Sequence, residues 1–254
     1  MKNSITLAKE YLSKFKKFFL ILNFFLDFKV LKALSLSKND RLKIISKAIK
    51  DKYFFEFYLN KDNKDIIRYF EKKYQFDYSD WFTTNIDVWK KFLSPLKEIK
   101  YLEIGSFEGR SAVFVGELEN VKEITCIDSF EGSDEHNDVN FDLVYKNCLE
   151  NLNKLNTPFN LIKDTSHTFF QNNNKKFNVI YIDGSHFYDD VKKDFSNSMS
   201  CLKDGGILIC DDFYWLVYKK LEQNPIGAIL DCYEIYKKNL EILFINDQII
   251  FKKI

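Results

Sequence analysis

The sequence predicts a doubly wound α/β fold: a mostly parallel seven-stranded sheet with a C-terminal antiparallel hairpin and a helical N-terminal extension. Three observations predict it. From Lys100 onward, short apolar runs of strand character alternate with helical stretches, the pattern of βαβ units and a parallel sheet. Four of the five runs end in, or lead directly into, an acidic residue: Glu103, Asp128, Asp183 and Asp211. After the fifth, two further runs flank Asn246-Asp247-Gln248 as a hairpin.

Residues 1–95 read as helical, with few turn formers, and close at Ser94-Pro95, because the residue before a proline is pushed out of the helical region. Within them, Lys14, Lys16 and Lys17 precede the apolar stretch 18–26, as in a signal peptide. Asp27 and Lys29 interrupt that stretch at once and no A-x-A cleavage signal follows, whereas a spanning helix needs about 20 apolar residues. No stable membrane insertion is expected; the readings left are a packed amphipathic helix, a surface or partner-docking helix, and a targeting segment. Residues 96–254 form the expected main domain. Its strands are 99–104, 123–128, 159–163, 178–183 and 206–211, followed by a helix over 225–238 and a hairpin of 240–245 with 249–252. Residues 171–176, rich in Asn and Lys, read as a solvated loop.

Composition narrows the partners. Lys+Arg 38 against Asp+Glu 37 leaves a net charge of +1, so no global field draws the chain to nucleic acid or anionic membranes, and a small or glycan-like substrate is expected. Five cysteines without a CxxC pair fit a reducing cytoplasm. Aromatic residues make up 17% of the chain; most read as core, and any exposed remainder leaves a homodimer open.

In open α/β sheets ligands bind beyond the carboxyl ends of the strands, so the recurring acids point into one crevice. The first strand leads into Glu103-Ile104-Gly105-Ser106-Phe107-Glu108-Gly109-Arg110-Ser111, a strand, a glycine-bearing turn and a helix start. Gly105 lets the backbone turn sharply and approach a ligand, and the helix N-terminus offers free N–H groups to an anion. The order is not G-x-G-x-x-G, which argues against a nicotinamide enzyme. Asp128 follows at a distance suited to accepting from ribose hydroxyls, with a loop cap as the other reading. Asp164 is open between accepting from an adenine amino group and capping the next helix.

Asp183, Asp211 and Asp212 bring three carboxylates to one end of the sheet. Such a cluster repels itself unless a cation sits among it, and oxygen ligands suit Mg²⁺, Ca²⁺ or Mn²⁺. His186 has an unperturbed pKa near 6.5 that suits a general base, and it reads equally as a helix cap or as support for Asp183. His136 and His167 read as solvated loop residues.

The acid followed by G-x-x-x-G resembles the first motif of class I S-adenosylmethionine-dependent methyltransferases. Residues 100–215 resemble their metal-dependent O-methyltransferases, which place one Asp after the fourth strand and an Asp-Asn or Asp-Asp pair after the fifth. The wording Asp183-Gly184-Ser185-His186-Phe187-Tyr188 is also similar to a broad bacterial methyltransferase family found with glycan and natural-product genes. The resemblance implies S-adenosyl-L-methionine contacts from Glu103, Gly105, Ser106, Gly109, Ser111, Asp128, Ser129, Asp164 and Asp183. It further implies a divalent metal, Mg²⁺ first, on Asp183, Asp211 and Asp212, catalysis by Asp183 and His186, and an acceptor hydroxyl on a vicinal diol of a sugar or catechol type. Trp81 to Asn85 would form part of a lid or pack as core. A metal-dependent relative with other chemistry, resembling cephalosporin hydroxylase, and a non-catalytic cofactor-binding protein are the rival readings.

Overall fold

A computed structural model describes residues 40–55, 64–132, 138–218, 220 and 223–254. The Lys14 to Asp27 stretch and His136 lie outside the described residues. Among the described residues, three α-helices precede the sheet: α1 (Arg41–Phe54), α2 (Lys64–Lys73) and α3 (Ile86–Leu93). The rest follows as β1 (Ile99–Ile104), α4 (Arg110–Gly116), β2 (Val121–Asp128), α5 (Phe141–Asn153), β3 (Phe159–Lys163), α6 (Ser166–Asn172), β4 (Phe177–Ile182), α7 (Tyr188–Cys201), β5 (Leu202–Cys210), α8 (Pro225–Tyr236), β6 (Leu240–Ile245) and β7 (Ile249–Lys253).

The sheet order is β3-β2-β1-β4-β5-β7-β6, with β1 to β5 parallel and β7 antiparallel to both of its neighbours. Side chains alternate across it with period two. Leu102, Ile104, Ile180, Ile182, Leu208 and Cys210 enter one core, shared with α7 and α8. Tyr101, Val179, Tyr181, Ile207 and Ile209 enter the other, shared with α3, α4 and α5. Both faces are thus covered, as a parallel sheet demands. The N-terminal helices belong to this packing: Ile44 and Ala48 of α1 join the first core, and Asp51 accepts a hydrogen bond from the Ile245 amide at 2.9 Å. Trp89 of α3 is fully buried in the second.

The structure shifts several sequence-based boundaries. β5 starts at Leu202 rather than Gly206, β2 at Val121 rather than Glu123, and α8 stops at Tyr236. Asp183 and Asp211 stand just past their strands, and Gln171 and Asn172 end α6 instead of lying in a loop. Residues 75–82 are not helical. Local bonds compete with the helix there: Asp80 Oδ1 accepts from the amides of Phe82 and Thr83, and the backbone of Gln75 bonds the Asn151 side chain through both N–H and C=O.

The chain reverses direction across the sheet between β1 and β4, where connections leave toward opposite sides. That switch point opens a crevice at the carboxyl ends of the strands.

Candidate active site

The crevice is edged by strand ends that interlock through the backbone. Gly105 N–H donates to Ile127 O (2.8 Å), Asp164 to Asp128 O (3.1 Å), Asp183 to Ile104 O (2.8 Å) and Asp211 to Ile182 O (2.9 Å). Each acid is therefore fixed one step beyond its ladder.

On the β1–β2 side, Gly105 turns with φ +84°, and a Cβ there would lie 2.0 Å from the carbonyl oxygen of Asp183. The glycine is required first by the neighbouring Asp183-Gly184 backbone, a closeness that also brings the two halves of the crevice together. Gly109, at φ +77°, starts α4 from a left-handed conformation. Asp128 holds the turn: Oδ2 accepts from the amides of Ser106 (2.9 Å) and Phe107 (2.8 Å), and Oδ1 from Phe130 (2.7 Å). Phe107 itself sits at φ +49°, strained for a non-glycine residue, which this carboxylate helps to hold. Ser129 Oγ accepts from the Glu131 amide.

Glu103 differs from its expected placement at the ligand surface. It is wholly buried beneath the turn and accepts from Ser111 Oγ, and burial raises its carboxyl to about 8. Its Oε2 and the Ser106 hydroxyl are buried without a hydrogen-bond partner. Asp164 does not cap α6. Thr165 does, accepting from the Thr168 amide, while Asp164 bonds the Thr165 amide and lines a separate groove with Thr125, Asn160 and Thr168. His167 is exposed, with its ring 2.9 Å from the Gln171 amide nitrogen.

On the β4–β5 side a small cavity is walled by Asp183, His186, Asp211 and Asp212. His186 Nε2 lies 2.6 Å from Asp212 Oδ2, and ligand atoms of Asp183, His186 and Asp212 all lie within 4.8 Å of one another. Asp212 adopts φ +54°, a conformation that Asp tolerates but that still costs free energy. Asp211 reaches the wall with its oxygens already engaged. Oδ1 accepts from the Asp212 amide, and Oδ2 accepts from Gln248 Nε2 at 2.8 Å and faces the Tyr181 hydroxyl. That hydroxyl also lies 2.8 Å from Asp183 Oδ2, bridging the two carboxylates. Burial, then the charges of Asp211 and Asp212, push Asp183 well above the carboxylate range; burial and Asp212 bring Asp211 to about 7.

Several of these parts carried no sequence signal. Gln248 is almost wholly buried at a hairpin tip, where polar residues ordinarily meet water, and is oriented by Trp89 Nε1 donating to its Oε1 at 2.7 Å. Glu108 occupies an unspecified position of the G-x-x-x-G turn. It accepts from the amides of Asp77 (2.8 Å) and Tyr78 (3.1 Å) and from Asn147 (2.8 Å), stitching residues 75–82 onto the turn. Of the expected lid, Trp81 packs on Phe107 with ring centroids 5.3 Å apart, whereas Phe82 is core against Trp89 and Phe114.

The family model described as a methyltransferase domain matches residues 102–213, the span that carries the glycine turn, Asp128, Asp164 and the Asp183 to Asp212 mouth. This stretch is similar to a methyltransferase domain. No curated protein sequence matches the chain. Among solved structures, the chain is similar to TomG, the O-methyltransferase of Streptomyces achromogenes involved in tomaymycin synthesis. The identity is 9%, covering 82% of this chain and 97% of that one, with a TM-score of 0.52. A Staphylococcus aureus protein described as a caffeoyl-CoA O-methyltransferase is 19% identical over 80% of this chain and 98% of its own, at a TM-score of 0.50. The MycE methyltransferase of mycinamycin biosynthesis is 13% identical over 75% of this chain and 54% of its own, also at 0.50. At these identities the likeness is one of fold, and the seven-stranded order with its terminal antiparallel pair is that of class I methyltransferases.

Proposed function

We propose that this chain transfers a methyl group from S-adenosylmethionine to a hydroxyl oxygen of a small molecule or glycan, at a mouth that takes a divalent cation such as Mg²⁺. One observation carries the reading. The glycine turn of β1 lies directly against Asp183-Gly184, so a cofactor seated on the turn presents its far end to the carboxylate mouth.

The residues fit both groups. At the turn, Glu103 Oε2 and Ser106 Oγ are buried polar atoms in want of a partner, and a carboxyl lifted to about 8 by burial is suited to a nearby cation that would restore its charge. At the mouth, burial and then neighbouring carboxylate charge raise the Asp183 and Asp211 carboxyls, and such a cluster suits a hard cation. TomG was solved with S-adenosylmethionine, and MycE with Mg and S-adenosylhomocysteine.

When bound, S-adenosylmethionine supplies an electrophilic methyl on sulfonium, and the cation supplies a Lewis acid that lowers the pKa of a hydroxyl. The chain does the rest. Asp128, Ser129 and the amides of the turn hold the nucleoside side, and Gly109 and Ser111 keep α4 aimed at the carboxylate end. Asp183 Oδ2 accepts the acceptor's proton, and the Tyr181 hydroxyl between it and Asp211 gives that proton a second carboxylate to share. A vicinal diol is the favoured acceptor, because two neighbouring oxygens fix the attacking one in line with the methyl. The five cysteines are all free and buried, which suits a reducing cytoplasm.

Radiolabelled S-adenosylmethionine offered with a panel of sugars and catechols tests the reading. Label transferred to an acceptor and lost on chelation supports it. Binding of the cofactor with no transfer to any hydroxyl, cation present, would return the chain to the binding-protein or other-chemistry readings.

A further inference from the structure

The cavity beneath β4 and β5 gathers an unequal set of groups. Asp183, His186 and Asp212 bring one ligand atom each to within 4.8 Å of the others, a span that bonds of about 2.0–2.2 Å to a central ion would nearly close. Asp211, expected from the sequence to complete the set, is turned to other work. Its Oδ1 caps the Asp212 amide, and its Oδ2 is taken by Gln248 and Tyr181. The Gln248 amide cannot rotate freely, because the buried Trp89 indole donates to its oxygen.

The His186 imidazole lines the cavity. Its Nε2 is 2.6 Å from Asp212 Oδ2, and the Trp215 ring covers it at a centroid distance of 4.6 Å. Asp212 reaches it from a left-handed backbone conformation, and the Trp215 amide donates to the Asp212 carbonyl at 2.9 Å, so one short turn places both the second carboxylate and the covering ring.

We infer that His186 is the third protein ligand of the cation site, with Asp183 and Asp212, and that Asp211 is a positioning residue behind it. The inference rests on the metal reading above and deepens it. Its chemical consequence is selectivity: carboxylate oxygens suit Mg²⁺, Ca²⁺ and Mn²⁺, whereas imidazole nitrogen favours the transition metals, so this mixed set ranks Mn²⁺ above Mg²⁺.

Pulsed electron paramagnetic resonance on the full chain loaded with Mn²⁺ reads the ligand directly. The expected spectrum shows nitrogen hyperfine coupling from a bound imidazole. His186→Ala should abolish that coupling and weaken Mn²⁺ about 10-fold or more, with Mg²⁺ affinity changed less. Its S-adenosylhomocysteine binding should persist, which certifies the fold. Asp211→Asn should keep the nitrogen signal. Bound Mn²⁺ without nitrogen coupling, or coupling unchanged in His186→Ala, overturns the ligand assignment alone. A chain that binds no divalent cation overturns the metal reading together with it.

Discussion

The two halves of the crevice treat their acids in opposite ways. On the β1–β2 side, Asp128 is answered by three backbone amides, so its charge is met by the chain itself and the glycine turn is built before any ligand arrives. On the β4–β5 side, Asp183 and Asp211 share one tyrosine hydroxyl, Asp211 also takes one glutamine amide and one backbone amide, and Asp212 meets the His186 imidazole. The contrast separates a preorganised half from one that leaves charge for a cation to meet. Rigidity in the first and unneutralised carboxyls in the second are what the proposed division between cofactor and metal requires.

The largest effect should come where the halves touch. Gly105→Ala places a Cβ 2.0 Å from the Asp183 carbonyl, at a φ that disfavours side chains, and the clash is with backbone that cannot swing away. The expected cost is at least about 3 kcal/mol, read as a large fall in melting temperature. A mutant melting with the parent would mean the halves are not in contact.

Asp128→Ala should stay folded and lose S-adenosylhomocysteine affinity by roughly 10- to 100-fold, since charge-assisted hydrogen bonds are worth about 1.5–3 kcal/mol each. Part of that loss comes through the freed Ser106 and Phe107 amides. Unchanged affinity in a folded mutant would dissociate Asp128 from the cofactor side.

The smallest effect sharpens the charge argument. Glu103 and Asp211 titrate near 8 and 7 in the folded chain against ordinary values of 4.5 and 3.8. Between those limits the folded state holds protons that the unfolded chain has lost. Metal-free stability should therefore fall as pH rises from about 4 to about 8. Mn²⁺ should restore more of it at pH 8 than at pH 6, by countering the repulsion at Asp211. Metal-free stability rising with pH over that interval would contradict the burial of uncompensated carboxyls.

How much of this the sequence discloses follows from what kinds of signal it carries. Periodicity and turn chemistry place β1, β3 and the hairpin closely, and the acids at strand ends mark the crevice, because strand ends in a parallel sheet share one edge. The start of β5 is obscured because Lys203-Asp204-Gly205 reads as a turn, and Gly205 does stand at φ +75°, although Leu202 already pairs with Phe177. Long-range partners leave no local trace. Gln248 is 37 positions from Asp211 and Glu108 31 from Asp77, and nothing near either residue announces the contact. His186 and Asp211 were both legible as site residues, but their roles depend on side-chain direction, which Trp215 and Gln248 determine.

The account rests on a cofactor half that stands ready without the metal. Titration calorimetry of S-adenosylhomocysteine into the chain, first after exhaustive chelation and then with Mn²⁺ restored, tests that claim directly. The expected result is binding in both, with dissociation constants within a few-fold of each other. Absence of binding in both, or binding only with the cation present, would contradict it.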